Sequence, residues 1–104
     1  MMSRYSSPGP SGSSVRAPLP RISEFYGILI YMYFSDHAPP HFHAMYGRFE
    51  AEILIETGTT LKGRLPRRAA ALVREWTHSY RAELEDNWRR ARDHEALHRV
   101  PPLD

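Results

Sequence analysis

The stretch Asp36-His37-Ala38-Pro39-Pro40-His41-Phe42-His43 holds three of the chain's six histidines, a carboxylate and two adjacent prolines. Imidazole is the side chain that most readily binds a metal or carries a proton near neutral pH. Each proline fixes its own φ and restricts the residue before it, so the segment between His37 and His41 is a stiff elbow. Imidazoles on such a frame suit several roles. His41 or His43 could work as a general acid or base, with a carboxylate orienting the ring and raising its basicity. Asp36, His37, His41 and His43 could instead supply the nitrogen and oxygen donors of an open divalent site, for which zinc is a suitable ion. The histidines could also simply cover a sheet surface, or make contact with a partner. His-x-His alone does not separate these readings.

The elements on either side determine where these side chains point. Gly27 to Phe34 is a nearly continuous β-branched and aromatic run, the pattern of a strand deep in a sheet. Ser35-Asp36 ends it. From His41 the chain alternates, and a second alternating run begins at Phe49, the two separated by Gly47-Arg48. Two such runs with glycine first in a two-residue loop signal a type II′ hairpin. Paired positions then sum to 95, which sets Tyr46 opposite Phe49, His43 opposite Glu52 and Phe42 opposite Ile53. Strict alternation places Phe42, Ala44, Tyr46, Phe49, Ala51 and Ile53 on one face, the expected core. His41, His43, Glu50 and Glu52 share the other. Opposed Cβ atoms lie about 5 Å apart and diagonal ones about 7 Å, so Glu52 is within reach of both His41 and His43. The candidate catalytic set is therefore His41, His43 and Glu52.

A turn at Thr57-Gly58 and a short strand from Thr59 to Leu65 follow. Pro66 suits the first turn of a helix, where its missing N–H costs nothing. Ala69, Leu72, Val73, Trp76, Tyr80, Leu84, Trp88 and Ala91 then recur at steps of three and four, one apolar stripe of an amphipathic helix. A single rod of that extent would be roughly 42 Å long, whereas about 85 residues make a domain only some 30 Å across. A break near His78-Ser79 is expected. The two tryptophans read as core residues on this stripe. Beyond Asp93 the tail reads as irregular, and Pro101-Pro102 excludes a last helix.

Composition narrows the function classes. The chain has 104 residues, no cysteine and a formal charge of +2. Disulfides, thiolate metal sites and a cysteine nucleophile are thus excluded. The charge is too small to point to nucleic acid, and the helical arginines alternate with Glu75, Glu83, Glu85, Asp86 and Asp93 as on a solvated face. No apolar run reaches the roughly 20 residues of a membrane span, and no secretory leader is visible. A cytoplasmic protein is expected. Residues 1–19, rich in Ser, Gly and Pro, read as a disordered extension, and residues 20–104 as one domain. No nucleotide-binding glycine loop, serine elbow or HExxH zinc motif is present.

Pro20 to Ile28, Met32-Tyr33-Phe34-Ser35-Asp36-His37-Ala38-Pro39-Pro40-His41-Phe42-His43, Tyr46-Gly47, Leu65 to Ala69, Glu75-Trp76 and Asn87-Trp88 together resemble the bacterial family called domain of unknown function 4160. The resemblance spans about Leu19 to Leu103. It implies a small prokaryotic protein without an assigned activity, encoded beside another short protein in an arrangement resembling toxin–antitoxin operons. It carries over no catalytic residue. The fold expected is α+β: a small antiparallel sheet of three or four strands, packed on one face by a C-terminal helical hairpin or kinked helix. The functions expected are a toxin–antitoxin-like component binding a small cognate protein, a metal-independent hydrolase or ribonuclease-like enzyme using His41 or His43 with Glu52, or a metal-binding module. A homodimer is a further option.

Overall fold

The computed structural model describes residues 20–104; the expected N-terminal extension, residues 1–19, lies outside the described residues. Five strands form one antiparallel sheet in the order of the chain: β1 (Arg21–Phe25), β2 (Ile28–Tyr31), β3 (His41–Tyr46), β4 (Phe49–Leu54) and β5 (Thr60–Arg64). Two helices follow, α1 (Arg67–Ser79) and α2 (Arg81–Arg92). The class is α+β as expected, with five strands rather than three or four. The extra strand comes from Tyr26-Gly27, which turn the first apolar run back on itself. Both residues have positive φ, 52° and 79°, the requirement of a type I′ hairpin. An exposed tyrosine in the left-handed region is an unusual choice, so the sequence carried no Asn-Gly signal for this turn.

The β3–β4 register matches the expected one throughout: Tyr46 pairs with Phe49, Ala44 with Ala51, His43 with Glu52 and Phe42 with Ile53. Gly47 takes φ 58° in the connecting turn. Phe42, Ala44, Ala51 and Ile53 are fully buried with Val73 and Trp76 of α1. Trp76 anchors this layer. Its ring meets Phe42 edge-on at 5.5 Å and Phe25 at 5.1 Å, and its indole N–H donates to the Pro101 carbonyl at 2.8 Å. Removing such a ring costs about 3–5 kcal/mol.

The helical stripe does break, at Tyr80 (φ −122°), one residue beyond the expected point. The buried Thr77 hydroxyl donates to the Val73 carbonyl at 2.7 Å, a back-bond that bends helices. His78 Nε2 meets the Thr57 carbonyl at 3.1 Å, and Arg81 donates to the Ile55 carbonyl at 3.3 Å. These contacts hold both sides of the bend against the β4–β5 connection. The tail beyond Asp93 has no regular structure, yet it is well tied. Buried Asn87 donates to the His98 carbonyl and accepts from its N–H, at 2.8 and 2.9 Å. The Val100 N–H donates to the Ile22 carbonyl of β1 at 2.8 Å. Among the described residues no helix is long and apolar enough to cross a membrane.

Candidate metal centre

β2 stops at Tyr31, so residues 32–40 form the loop that carries Asp36 and the diproline elbow. The Met32 N–H still donates to the Pro20 carbonyl, and the Ser35 N–H donates to the Ala91 carbonyl of α2 at 3.2 Å. With the loop held at both points, Asp36 reaches the outer face of β3. Its Oδ2 lies 3.0 Å from His41 Nε2 and 3.1 Å from His43 Nε2. These three residues bring one donor atom each within 4.8 Å of one another.

The outer face proves to be buried at this point, so the histidines do not simply cover an exposed sheet surface. His41 is 1% exposed and His43 7%. Two residues that the sequence did not single out as site residues provide the cover. Tyr33 packs on the His43 ring at 4.2 Å between centroids, and Trp88 of α2 packs on the His41 ring at 5.3 Å. Trp88 is thus the wall of the site, whereas Trp76 alone belongs to the central core. Its helical spacing could not reveal this, because the bend at Tyr80 redirects the second half of the stripe. Burial, helped by the nearby carboxylates Glu50 and Asp36, raises the Tyr33 pKa, so the phenol stays protonated beside the imidazoles.

Hydrogen bonding fixes the role of one nitrogen of His41. Its Nδ1 lies 2.7 Å from the Pro39 carbonyl, which can only accept, so Nδ1 carries a hydrogen. Nε2 is left buried and without a hydrogen-bond partner, pointing into the cluster with Asp36. A ligating histidine is commonly oriented in this way, by donating its second N–H to a carbonyl. His43 Nδ1 is likewise buried without a partner, with Glu50 Oε2 3.8 Å away. Burial works to raise the Asp36 carboxyl, but the hydrogen bonds from His43 and the His37 N–H, with the charges of His41 and His43, outweigh it and hold the carboxyl below its ordinary value.

Of the residues expected in the site, Asp36, His41 and His43 converge, while His37 stands aside. Its ring is 78% exposed and reaches Asp36 only at the outer oxygen, 3.2 Å away. Glu52 pairs with His43 in the strand register, but its carboxylate comes to 3.8 Å of His41 Nε2 instead. Asp36, not Glu52, is the carboxylate shared by both imidazoles. Among the described residues, Asp36, Glu50 and Glu52 form ion pairs with histidine alone. Arg64 and Lys62 of β5 stand opposite Glu50 and Glu52 in the strand register, without forming ion pairs with them.

A family model described as "Domain of unknown function (DUF4160)" matches residues 27–89. The chain belongs to this family. The matched segment runs from the β1–β2 turn to α2 and includes Asp36, His41 and His43. No curated protein and no solved structure matches the chain.

Proposed function

We propose that this chain binds one divalent transition-metal ion through Asp36, His41 and His43, as a centre of the open, catalytic type. The observation that carries the reading is His41: buried, oriented by the Pro39 carbonyl, with Nε2 making no hydrogen bond and lying 3.0 Å from Asp36 Oδ2. Donors held about 2.1 Å from a common ion lie about 3 Å apart at right angles and about 3.4 Å apart at tetrahedral ones. The spacings at Asp36, 3.0 and 3.1 Å, fall in that range. Two imidazoles and one carboxylate suit zinc or ferrous iron. Three protein donors leave a coordination position for water or substrate, where the ion would act as Lewis acid and lower the pKa of bound water. Glu52, beside His41, is the nearest group to take up a proton there. Were the chain the catalytic member of a toxin–antitoxin-like pair, this centre would supply its chemistry.

The test is calorimetric titration of zinc into untagged protein stripped with chelator. One ion per chain is expected, with binding lost or weakened by roughly 100-fold or more in His41→Ala and in His43→Ala. Unaltered binding in both variants would overturn the reading, as would absence of binding in the wild type. A second reading is favoured by the His43–Asp36 hydrogen bond at 3.1 Å: metal-independent acid–base catalysis by His43, with Asp36 in the orienting role expected of Glu52. An activity that survives exhaustive chelation would select it.

A further inference from the structure

The two imidazoles of the cluster differ in what holds their second nitrogen. His41 Nδ1 donates to the Pro39 carbonyl at 2.7 Å, which turns Nε2 towards Asp36. His43 has no such anchor. Its Nε2 donates to Asp36 Oδ2 at 3.1 Å, because a carboxylate can only accept. Its Nδ1 is shielded from solvent and makes no hydrogen bond, and Tyr33 packs on the ring.

Glu50 stands next to that nitrogen. The strand register sets His43 opposite Glu52 and Met45 opposite Glu50, so Glu50 lies diagonal to His43 on the outer face. Its Oε2 is 3.8 Å from His43 Nδ1, about 1 Å beyond a charge-assisted hydrogen bond. Among the described residues no other carboxylate comes within ion-pair distance of Nδ1. The Glu50 side chain is 57% exposed, which gives it room to move. Arg64, its register partner on β5, does not hold it; the guanidinium lies over the Phe49 ring at 5.3 Å.

We infer that Glu50 is a positioning residue of the metal centre, accepting the Nδ1 hydrogen of His43 when Nε2 ligates the ion. The inference rests on the proposed centre at Asp36, His41 and His43. An ion at Nε2 takes the lone pair there, so the neutral bound ring carries its hydrogen on Nδ1. The Nε2 hydrogen leaves as one is taken up at Nδ1, and His43 releases no net proton. A buried N–H without an acceptor is costly, and closure of Glu50 by about 1 Å removes that cost. Ligating histidines commonly donate their second N–H to a carbonyl or a carboxylate. Pro39 does this for His41 and Glu50 for His43, which leaves Glu52 to the open coordination position.

The experiment is calorimetric titration of zinc into the untagged, chelator-stripped full chain, as wild type, Glu50→Ala and Glu50→Gln, with imidazole nitrogen NMR spectra of the wild type. The position is exposed, so both variants are expected to fold. Glu50→Ala should weaken binding by about 10–100-fold. Glu50→Gln keeps an acceptor oxygen but not the charge, and should recover most of that affinity. In the spectra, zinc should move the His43 hydrogen from Nε2 to Nδ1. Wild-type affinity in Glu50→Ala would overturn the inference. So would equal losses in the two variants, which would reduce Glu50 to a nearby charge. In both cases loss of binding in His41→Ala would show that the centre itself stands. Absence of binding in the wild type, full binding in His41→Ala, or a His43 hydrogen that stays on Nε2 in the loaded protein would overturn the centre and the inference with it.

Discussion

At the scale of residues, the site is a contest for one carboxylate oxygen. Asp36 Oδ2 serves His41 and His43 together, and the Pro39 carbonyl decides which nitrogen of His41 faces it. The sequence already held the three residues, since Asp36 and the elbow stand next to His41. It could not show that His37 would turn outwards, because that follows from the path of the loop rather than from spacing. In chelator-treated protein the depressed Asp36 carboxyl has a consequence for acid stability. A folded pKa below the unfolded value of about 3.9 gives stabilisation that is present above that pH and lost as pH falls through the folded value. Urea midpoints between about pH 6 and about pH 3 should therefore fall more steeply for the wild type than for Asp36→Asn. Parallel curves would show that Asp36 contributes no such stabilisation.

At the scale of elements, alternation and one glycine turn were enough to read the β3–β4 register, which fixes His43 opposite Glu52. Alternation says which side chains share a face, and not what covers that face. The cover over His41 and His43 comes from Tyr33 in a loop and Trp88 beyond the helix bend. β5 shows a different constraint. A Cβ at Gly63 would clash with the Glu50 carbonyl oxygen, and its φ of 74° is unfavourable for other residues. Gly63→Ala should therefore destabilise the protein by more than about 1 kcal/mol and speed amide exchange along β5. Unchanged stability would mean that the β4–β5 pair can shift to accommodate a side chain.

At the scale of the whole molecule, the family match ends at residue 89, but the packing does not. Asn87, Trp76 and Ile22 each hold the tail through hydrogen bonds to His98, Pro101 and Val100. Val100 is itself buried in the core. The sequence showed the tail as irregular and gave no sign of these ties, because they run from side chains and single backbone groups rather than a periodic pattern. Removing residues 94–104 should leave buried donors unpaired at Trp76 and Asn87, at about 1–3 kcal/mol each. Thermal denaturation should show a clear fall in melting temperature; an unchanged value would make the tail dispensable. The central claim is that Asp36, His41 and His43 form a metal centre, and anomalous diffraction at the zinc edge tests it most directly. Crystals grown with equimolar zinc should show one peak about 2.0–2.2 Å from His41 Nε2, His43 Nε2 and an Asp36 oxygen. A peak elsewhere, or none, would contradict it.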